Sequence, residues 1–413
     1  MKKTHKLSRR KFVQASVVLS AARTAVAPAA AAGPAASTLR PPADIYKRLG
    51  VKTFINAYGT LTTLSGSLMP PEVTKAMEEA AHNFVAIHEL QQKVGERLAE
   101  LTGAEAAFVT AGASAALCLA TCAVTAGDDP QKMKQLPDLT GMKSEFVIQK
   151  AHRNSYDHAF RMVGVKLVEA ETADEVRNAI NGKTAALAMV LSHNSMGHKV
   201  ELDEMIRIAH AASLPLILDA AAEVPPKENL SKFVKMGADL VAFSGGKNLR
   251  GPQCSGILMG RQDLVRKAYA NSAPHNYFAR NAKVGKEEIV GLLAAVELYL
   301  SKDHEAERRE WHAMLDRVAA RLKAVPTVFT ELIPNDDYSH SPRLSVQWDE
   351  TKLGVTLSEM MQQLRDGDPA IVATDMTRYR PNWKGLGVFP YNLLPGEEIL
   401  VAERVKEILS RKS

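Results

Sequence analysis

The chain has 413 residues, 46% hydrophobic and 24% charged, which is typical of a globular protein larger than one ordinary core. No internal stretch approaches the ~18 uninterrupted apolar residues of a membrane-spanning helix, so no span is expected. Three cysteines exclude a disulfide-rich fold, and no Cys or His spacing predicts a metal site.

The first forty residues differ from the rest of the chain. They hold eight basic side chains, no acidic one, and an Ala-rich apolar section after the basic start. The segment 8–13, Ser-Arg-Arg-Lys-Phe-Val, resembles a twin-arginine export signal. We therefore predict a signal region over 1–36 and a periplasmic or otherwise exported protein. A basic disordered tail is the alternative, and Arg23, within the apolar section, leaves the cleavage site open.

The net charge of +6 comes from this region. Without its eight basic side chains, 44 basic and 46 acidic residues remain, which gives a net charge of −2. Proteins that bind nucleic acid usually carry a basic excess that meets the phosphates. No nucleic-acid partner is therefore expected, although a local basic patch stays open.

The order of apolar runs predicts an α/β fold. After an N-terminal segment over 41–66, short strand-like runs alternate with helix-length segments over 67–284, which is typical of a large domain with a mainly parallel sheet. From Gly285 the pattern predicts one long linking helix over 285–325. The remainder, 326–413, predicts a smaller C-terminal α+β domain.

Asp219 and Lys247 each follow a strand-like run, where open α/β sheets present ligands. Together they are the pair that a pyridoxal phosphate enzyme requires. A carboxylate keeps the pyridine nitrogen protonated, and a lysine amine holds the cofactor as an imine and later moves protons. Either residue alone is more often a helix cap or a solvated lysine; their order and the intervening helix-length segment favour catalysis.

A turn of small residues predicts the phosphate site of this cofactor. Gly112, Ala113 and Ser114 stand between a strand and a helix, where backbone amides and the helix dipole favour an anion. A purely structural turn would have the same sequence. Ser244, three residues before Lys247, is a second candidate phosphate ligand.

Other polar residues follow strand-like runs and are weaker candidates. His152 is placed to stack on the pyridine ring or to be a surface histidine, and Asn194 could bond the phenolic oxygen of the cofactor. An arginine would match a substrate carboxylate with two parallel bonds. The candidates for that role are Arg250, Arg280, Arg343 and Arg378.

Several stretches, in order, resemble a fold-type-I pyridoxal phosphate enzyme of the selenocysteine synthase-like group. This group includes L-seryl-tRNA selenium transferase and relatives of D-glucosaminate-6-phosphate ammonia-lyase. The matching stretches are 55–66, 106–117, 216–223, 243–260, 284–300 and 365–373.

The resemblance implies an aminotransferase-like fold type I, with Lys247 as the imine lysine, Asp219 as the pyridine partner and residues 112–114 as the phosphate turn. It also implies a homodimer or larger homo-oligomer with active sites at the subunit boundary. Tyr58 and Thr60 are expected at the substrate pocket, and Tyr58 departs from the small residue that many relatives carry there.

These observations predict an enzyme that acts on a small amino acid or amino sugar acid. Lys247 would remove the α proton, and β-elimination followed by hydrolysis would give a keto acid and ammonia. Racemisation and transamination begin with the same carbanion and stay open. A tRNA-dependent selenium transferase and a non-catalytic cofactor-binding protein are alternatives from other classes.

Overall fold

The structure, a computed structural model, describes residues 45–191, 197–334, 341–380 and 382–411. Its contacts divide the chain into two units, Met1–Lys52 and Thr53–Ser413. The described part of the first unit contains one short helix, α1 (Ile45–Arg48). The second unit contains the remaining elements.

In chain order, the described strands are β1 (Phe54–Asn56), β2 (Ala106–Thr110), β3 (Glu145–Gln149), β4 (Lys166–Ala170), β5 (Thr184–Val190), β6 (Leu216–Asp219), β7 (Leu240–Ser244), β8 (Gly256–Gly260), β9 (Phe329–Ile333), β10 (Arg343–Gln347), β11 (Ala370–Val372), β12 (Thr374–Asp375) and β13 (Leu386–Val388). The helices that follow α1 are α2 (Pro71–Ala81), α3 (Ile87–Thr102), α4 (Ala113–Thr125), α5 (Pro130–Gln135), α6 (His158–Arg161), α7 (Ala173–Ala179), α8 (Leu202–Ala211), α9 (Asn229–Met236), α10 (Gln262–Asn271), α11 (Lys286–Ser301), α12 (His304–Leu322), α13 (Glu350–Leu353), α14 (Leu357–Asp366) and α15 (Glu397–Ser410).

A seven-stranded sheet lies at the centre of the second unit. Its strand order is β2-β8-β7-β6-β5-β3-β4. Strands β4, β3, β5, β6 and β7 pair in parallel, whereas β8 pairs antiparallel with both β7 and β2. Because neighbouring parallel strands share one direction, β6 and β7 end at the same edge, and Asp219 and the turn that carries Lys247 lie there.

Both faces of this sheet are covered by helices. Along β6, Leu216 and Leu218 belong to one apolar cluster and Ile217 to the other, as the two-residue period of a strand requires. All three side chains are fully buried. A sheet buried on both faces explains why these strands read as continuous apolar runs in the sequence.

A second apolar core lies in the C-terminal part of the chain. It packs α12, α14 and α15 against the antiparallel sheet β12-β13-β10-β9. Ile55 of β1 joins this core because β1 pairs in parallel with β11, more than three hundred residues away, with Ile55 opposite Ile371. This pairing carries the following loop, residues 57–62, to the sheet edge where Lys247 lies.

The prediction of one long helix over 285–325 is wrong in one respect, because two helices, α11 and α12, occupy this stretch. Lys302 is extended, and the Asp303 side chain accepts a hydrogen bond from the Ala306 backbone N–H at 2.9 Å. An N-cap of this kind begins a new helix rather than continuing the old one. The predicted domain boundaries stay predictions.

Candidate active site

A cavity of about 430 Å³ opens at the carboxyl edge of the central sheet. It brings together seven of the residues predicted from sequence: Thr60, Gly112, Ala113, Ser114, Asp219, Ser244 and Lys247. The loop after β1, the start of α4, the ends of β6 and β7 and the C-terminal region all contribute to its wall. Residues distant in sequence thus meet around a space suited to a small heterocycle and its substrate.

The turn that carries Lys247 is fixed by several hydrogen bonds. The carbonyl oxygen of Lys247 accepts from the Ser67 hydroxyl at 2.8 Å and from the Arg250 backbone N–H at 2.9 Å. The Asn248 side-chain amide donates to the Val224 carbonyl at 2.7 Å. A Cβ on Gly246 would lie 2.5 Å from the Gln253 Cα, so only glycine allows the turn to fold back this tightly.

Asp219 and Lys247 perturb one another across the cavity. Burial raises the pKa of the Asp219 carboxyl, and the Lys247 charge and the Ala221 backbone N–H, 3.0 Å away, oppose that effect. Burial likewise lowers the pKa of the Lys247 amine, whereas Asp219 and Glu223 raise it. An amine whose neutral form is favoured by burial is suited to act as a nucleophile and a base.

The predicted phosphate turn has the geometry that an anion site needs. Gly112, the N-cap of α4, has a φ of +92°, and a Cβ built on it would meet nothing within 4 Å, so it faces open space. On its other side, a Cβ on Gly256 of β8 would lie 2.5 Å from the Gly112 carbonyl carbon. Two glycines therefore let the turn sit tightly on the sheet while the N-terminus of α4 faces the cavity, which fits a cofactor phosphate.

His152 lies outside the set of residues that line this cavity. It is 1% exposed, and its ring centroid lies 5.5 Å from that of His198. Neither ring nitrogen has a hydrogen-bond partner among the described residues. Burial, followed by the charge of His198, lowers the pKa of His152 to about 4, so its ring is neutral at neutral pH. Its predicted stacking role stays a prediction, and the predicted ligand Asn194 lies outside the described residues.

The predicted substrate ligands do not all lie at the same cavity. Thr60 lines the main cavity, and the Tyr58 ring lies edge-on to the cavity residue Tyr379, with the centroids 6.5 Å apart. Arg250 lines a separate small cavity and donates to the Tyr391 carbonyl oxygen at 2.6 Å. Arg378 borders a surface groove beside α14. Neither arginine reaches the lining of the main cavity, so their role as substrate ligands stays a prediction.

An aromatic wall, which we define as Tyr379, Phe389 and Tyr391, closes the cavity on the side of the C-terminal region. The ring centroids of Tyr379 and Phe389 are 5.1 Å apart, and those of Phe389 and Tyr391 are 6.1 Å apart. Sequence reasoning missed these three residues because they follow no strand of the central sheet and have no motif. Their closeness to one another in the sequence was the one available signal.

Arg343 lies behind this wall. It is 1% exposed, and its guanidinium carbon lies 4.6 Å from the Trp383 ring centroid and 5.9 Å from that of Phe389. Burial raises the pKa of Tyr379 and Tyr391, and the Arg343 charge opposes this effect. Among the arginines that the sequence suggested for a carboxylate, Arg343 thus lies beside the rings of the wall, whereas Arg250 contacts the wall through the Tyr391 backbone.

Comparison with known proteins identifies the family. Residues 54–354 match the family model described as SelA: L-seryl-tRNA selenium transferase. The chain belongs to this family. The match includes the cavity residues of the central sheet, from the loop after β1 to the Lys247 turn.

Two curated relatives are 34% identical to this chain. D-glucosaminate-6-phosphate ammonia lyase of Salmonella typhimurium aligns over 88% of the chain and 98% of the relative. 5'-C-glycyluridine monooxygenase-decarboxylase of a Streptomyces species aligns over 88% and 92%. L-seryl-tRNA(Sec) selenium transferase of Rhizobium meliloti is 28% identical over 68% of the chain and 63% of the relative.

Solved structures agree with this assignment. A structure of D-glucosaminate-6-phosphate ammonia-lyase matches with a TM-score of 0.79 and 34% identity, over 89% of this chain and 99% of that chain. A serine palmitoyltransferase structure with a pyridoxal phosphate internal aldimine shares the fold at a TM-score of 0.55 and 14% identity. The predicted family, fold type I, pyridoxal phosphate cofactor and lyase type are confirmed.

The described residues contain neither a candidate membrane span nor a candidate metal site. No helix among them is both long and apolar enough to cross a membrane. Within the same residues, no group of three or more His, Cys, Asp or Glu side chains is placed to hold a metal ion.

Proposed function

We propose that the protein is a pyridoxal phosphate-dependent ammonia-lyase whose substrate is an amino sugar acid of the D-glucosaminate type. The observation that carries the proposal is the meeting of Lys247 and Asp219 in one cavity. The 34% identity to D-glucosaminate-6-phosphate ammonia lyase over nearly the whole of both chains supports the substrate class.

The cofactor, when bound, supplies an electron sink for the charge left at the substrate α carbon. Lys247 would hold the cofactor and then, as a free amine, take the α proton. Asp219 would keep the pyridine nitrogen protonated, and the amides at the start of α4, with Ser114, would bind the phosphate. Loss of the β hydroxyl as water, and uptake of water on hydrolysis, gives a keto acid and ammonia with no external oxidant.

We favour Arg343 as the partner of the substrate carboxylate. Its guanidinium carbon lies 4.6 Å from the Trp383 ring centroid and 5.9 Å from that of Phe389, which lines the cavity. A buried and oriented guanidinium is suited to two parallel bonds with a carboxylate. Arg250 is already bonded to the Tyr391 carbonyl, and Arg378 borders a different groove.

A second candidate reaction is oxidative decarboxylation. The glycyluridine monooxygenase-decarboxylase is as similar to this chain as the ammonia lyase is, with 34% identity and 88% coverage in both cases. That activity would consume O₂ and release CO₂, whereas the ammonia-lyase reaction does neither. The two candidates are therefore separated by their products.

The test uses purified protein loaded with pyridoxal phosphate and given D-glucosaminate, with and without a 6-phosphate. We expect ammonia and keto acid in equal amounts with no O₂ uptake. Lys247→Ala should lower ammonia release at least about 1,000-fold, whereas Lys235→Ala, an exposed lysine on α9, should not. O₂ uptake with CO₂ release would establish the second candidate, and inverted substrate without ammonia would establish a racemase.

We also propose that the protein is a homo-oligomer, exported by the twin-arginine route, with no nucleic-acid partner. The Ser8–Val13 signal motif lies outside the described residues. Replacing Arg9 and Arg10 together by Lys should retain the protein in the cytoplasm, as followed by cell fractionation. The mass measured by light scattering should be that of at least two chains. In a binding assay at low salt, the protein should not shift tRNA. Unchanged fractionation of the double variant would reject the export route.

A further inference from the structure

Arg250 has a backbone conformation that an arginine rarely adopts. Its φ is +55°, within the left-handed region, and it is one of four non-glycine residues with positive φ in the described chain. It lies three residues after Lys247 and donates its backbone N–H to the Lys247 carbonyl at 2.9 Å. A side chain in this conformation is strained, and such strain persists only where surrounding contacts hold it.

The contacts that hold Arg250 come from its guanidinium. Nη2 donates to the Tyr391 carbonyl oxygen at 2.6 Å and lies 3.7 Å from the Glu307 carboxylate. Glu307 is on the first turn of α12 and pairs as well with Lys302, at the break between α11 and α12. The Arg250 side chain is 32% exposed and that of Glu307 is 14% exposed, so this pair is shielded from water more than a surface ion pair is.

Two contacts of Arg250, with Tyr391 and with the Lys247 turn, connect it to the active site. Tyr391 belongs to the aromatic wall, and its hydroxyl lies 3.4 Å from the Tyr58 carbonyl oxygen, in the loop that also carries Thr60. The backbone of Arg250 forms part of the turn that presents Lys247. One residue therefore connects the lysine turn, the aromatic wall and the start of α12.

We propose that Arg250 is a positioning residue, whose guanidinium fixes the Lys247 turn against the aromatic wall so that both face the cofactor at a set spacing. It touches the wall through the Tyr391 backbone and acts on the chemistry through Lys247 and Tyr391. This role differs from the substrate-carboxylate role suggested by the sequence, and it requires the pyridoxal phosphate site but not the proposed substrate.

The experiment compares two substitutions that remove the same side chain. Arg250→Gly removes the guanidinium and relieves the positive-φ strain, whereas Arg250→Ala removes the guanidinium and keeps the strain. Ser213 is a matched control, since its φ is also +55° and it is exposed at the far end of β6 from Asp219. Arg250→Lys, which keeps a cation, tests rescue.

Two measurements avoid any substrate. One is Tm of the apo-protein, and the other is the Kd for pyridoxal phosphate, followed through the absorbance of the lysine-bound cofactor. We expect Arg250→Gly to melt about 2 °C above Arg250→Ala, with the same difference between Ser213→Gly and Ser213→Ala. We expect the Kd to rise about fivefold in both Arg250→Gly and Arg250→Ala, less in Arg250→Lys, and not in the Ser213 variants.

A merely structural role gives a different pattern. In that case the variant with the higher Tm binds the cofactor more tightly, so Arg250→Gly has a lower Kd for pyridoxal phosphate than Arg250→Ala does. That result overturns the proposal. An unchanged Kd in both variants overturns it as well. If none of the tested amino sugar acids reacts, these two measurements still decide the role of Arg250, because neither uses a substrate.

Discussion

The two sides of the cavity are built differently. The side that handles the cofactor comes from the ends of adjacent parallel strands, so Asp219 and Lys247 are held by a sheet that is buried on both faces. The opposite side comes from the loop after β1 and the aromatic wall, which meet through contacts between distant parts of the chain. We infer that the sheet side sets the chemistry and the loop side sets the substrate.

The largest expected effect tests the sheet side. Asp219→Asn keeps the shape of the side chain but removes the charge that holds the pyridine nitrogen protonated. We expect kcat for ammonia release to fall about 100- to 1,000-fold with little change in Tm. If kcat falls less than about tenfold, Asp219 does not act on the ring. Steady-state kinetics of the loaded enzyme, with Asp316→Asn on α12 as control, measures this.

The next effect tests the close approach of the phosphate turn to the sheet. Gly256→Ala would place a Cβ 2.5 Å from the Gly112 carbonyl carbon and 2.8 Å from the Ala113 nitrogen, so the turn must move. We expect the Kd for pyridoxal phosphate to rise tenfold or more, about 1.4 kcal/mol or above. Gly182→Ala, whose Cβ would meet nothing within 4 Å, should bind the cofactor normally. Equal affinities in the two variants would contradict the assignment of the phosphate turn.

A third effect concerns His152, which is buried but is not among the residues that line the cavity. Its pKa is lowered to about 4 in the folded protein, whereas its ordinary value in the unfolded chain is 6.5. Between these two values His152 is protonated in the unfolded chain but not in the folded protein. Stability is therefore lost as the pH falls from 6.5 towards 4, by about 2 kcal/mol at pH 5. His152→Phe should remove this loss, as measured by urea unfolding of the apo-protein at pH 7 and pH 5. The same acid sensitivity in wild type and variant would refute the argument.

The smallest effect tests the loop side. Burial raises the pKa of Tyr391, so its hydroxyl stays protonated through neutral pH. Tyr391→Phe should therefore lower kcat/KM about fivefold, mainly through KM and evenly from about pH 6 to pH 9. A loss confined to kcat would place Tyr391 among the groups that transfer protons. That outcome would contradict our inference that the sheet side sets the chemistry and the loop side sets the substrate.

The sequence was sufficient for the sheet side, whereas on the loop side it predicted Thr60 but not the aromatic wall. Lys247, Asp219 and the turn at Gly112 follow apolar runs, and the ends of parallel strands converge by the geometry of the sheet alone. The aromatic wall depends on how distant segments pack, which no local pattern encodes. No local pattern marks Gly256 either, because its need to lie against Gly112 involves another segment.

The predicted long linking helix shows the same limit. The helical periodicity holds on both sides of Lys302, but the capping residue Asp303 stands within a continuous helical pattern that does not mark it. By its charge, Arg250 is a candidate ligand of a substrate carboxylate. Its positive φ and its bond to the Tyr391 carbonyl are properties of the folded chain that residue type does not reveal.

The pairing of β1 with β11 constrains when the protein can become functional during its synthesis. Ile55 lies opposite Ile371, and the Phe389 N–H donates to the Ala57 carbonyl at 2.9 Å, so the loop that carries Thr60 has no docking partner until residues near 390 have left the ribosome. Lys247 and Asp219 can come together on a nascent chain, but the cavity around them lacks the wall formed by the loop after β1 and the C-terminal region. The wall of the cavity is thus completed only after the C-terminal region has been synthesised, and a protein truncated before β11 would lack the strand that pairs with β1.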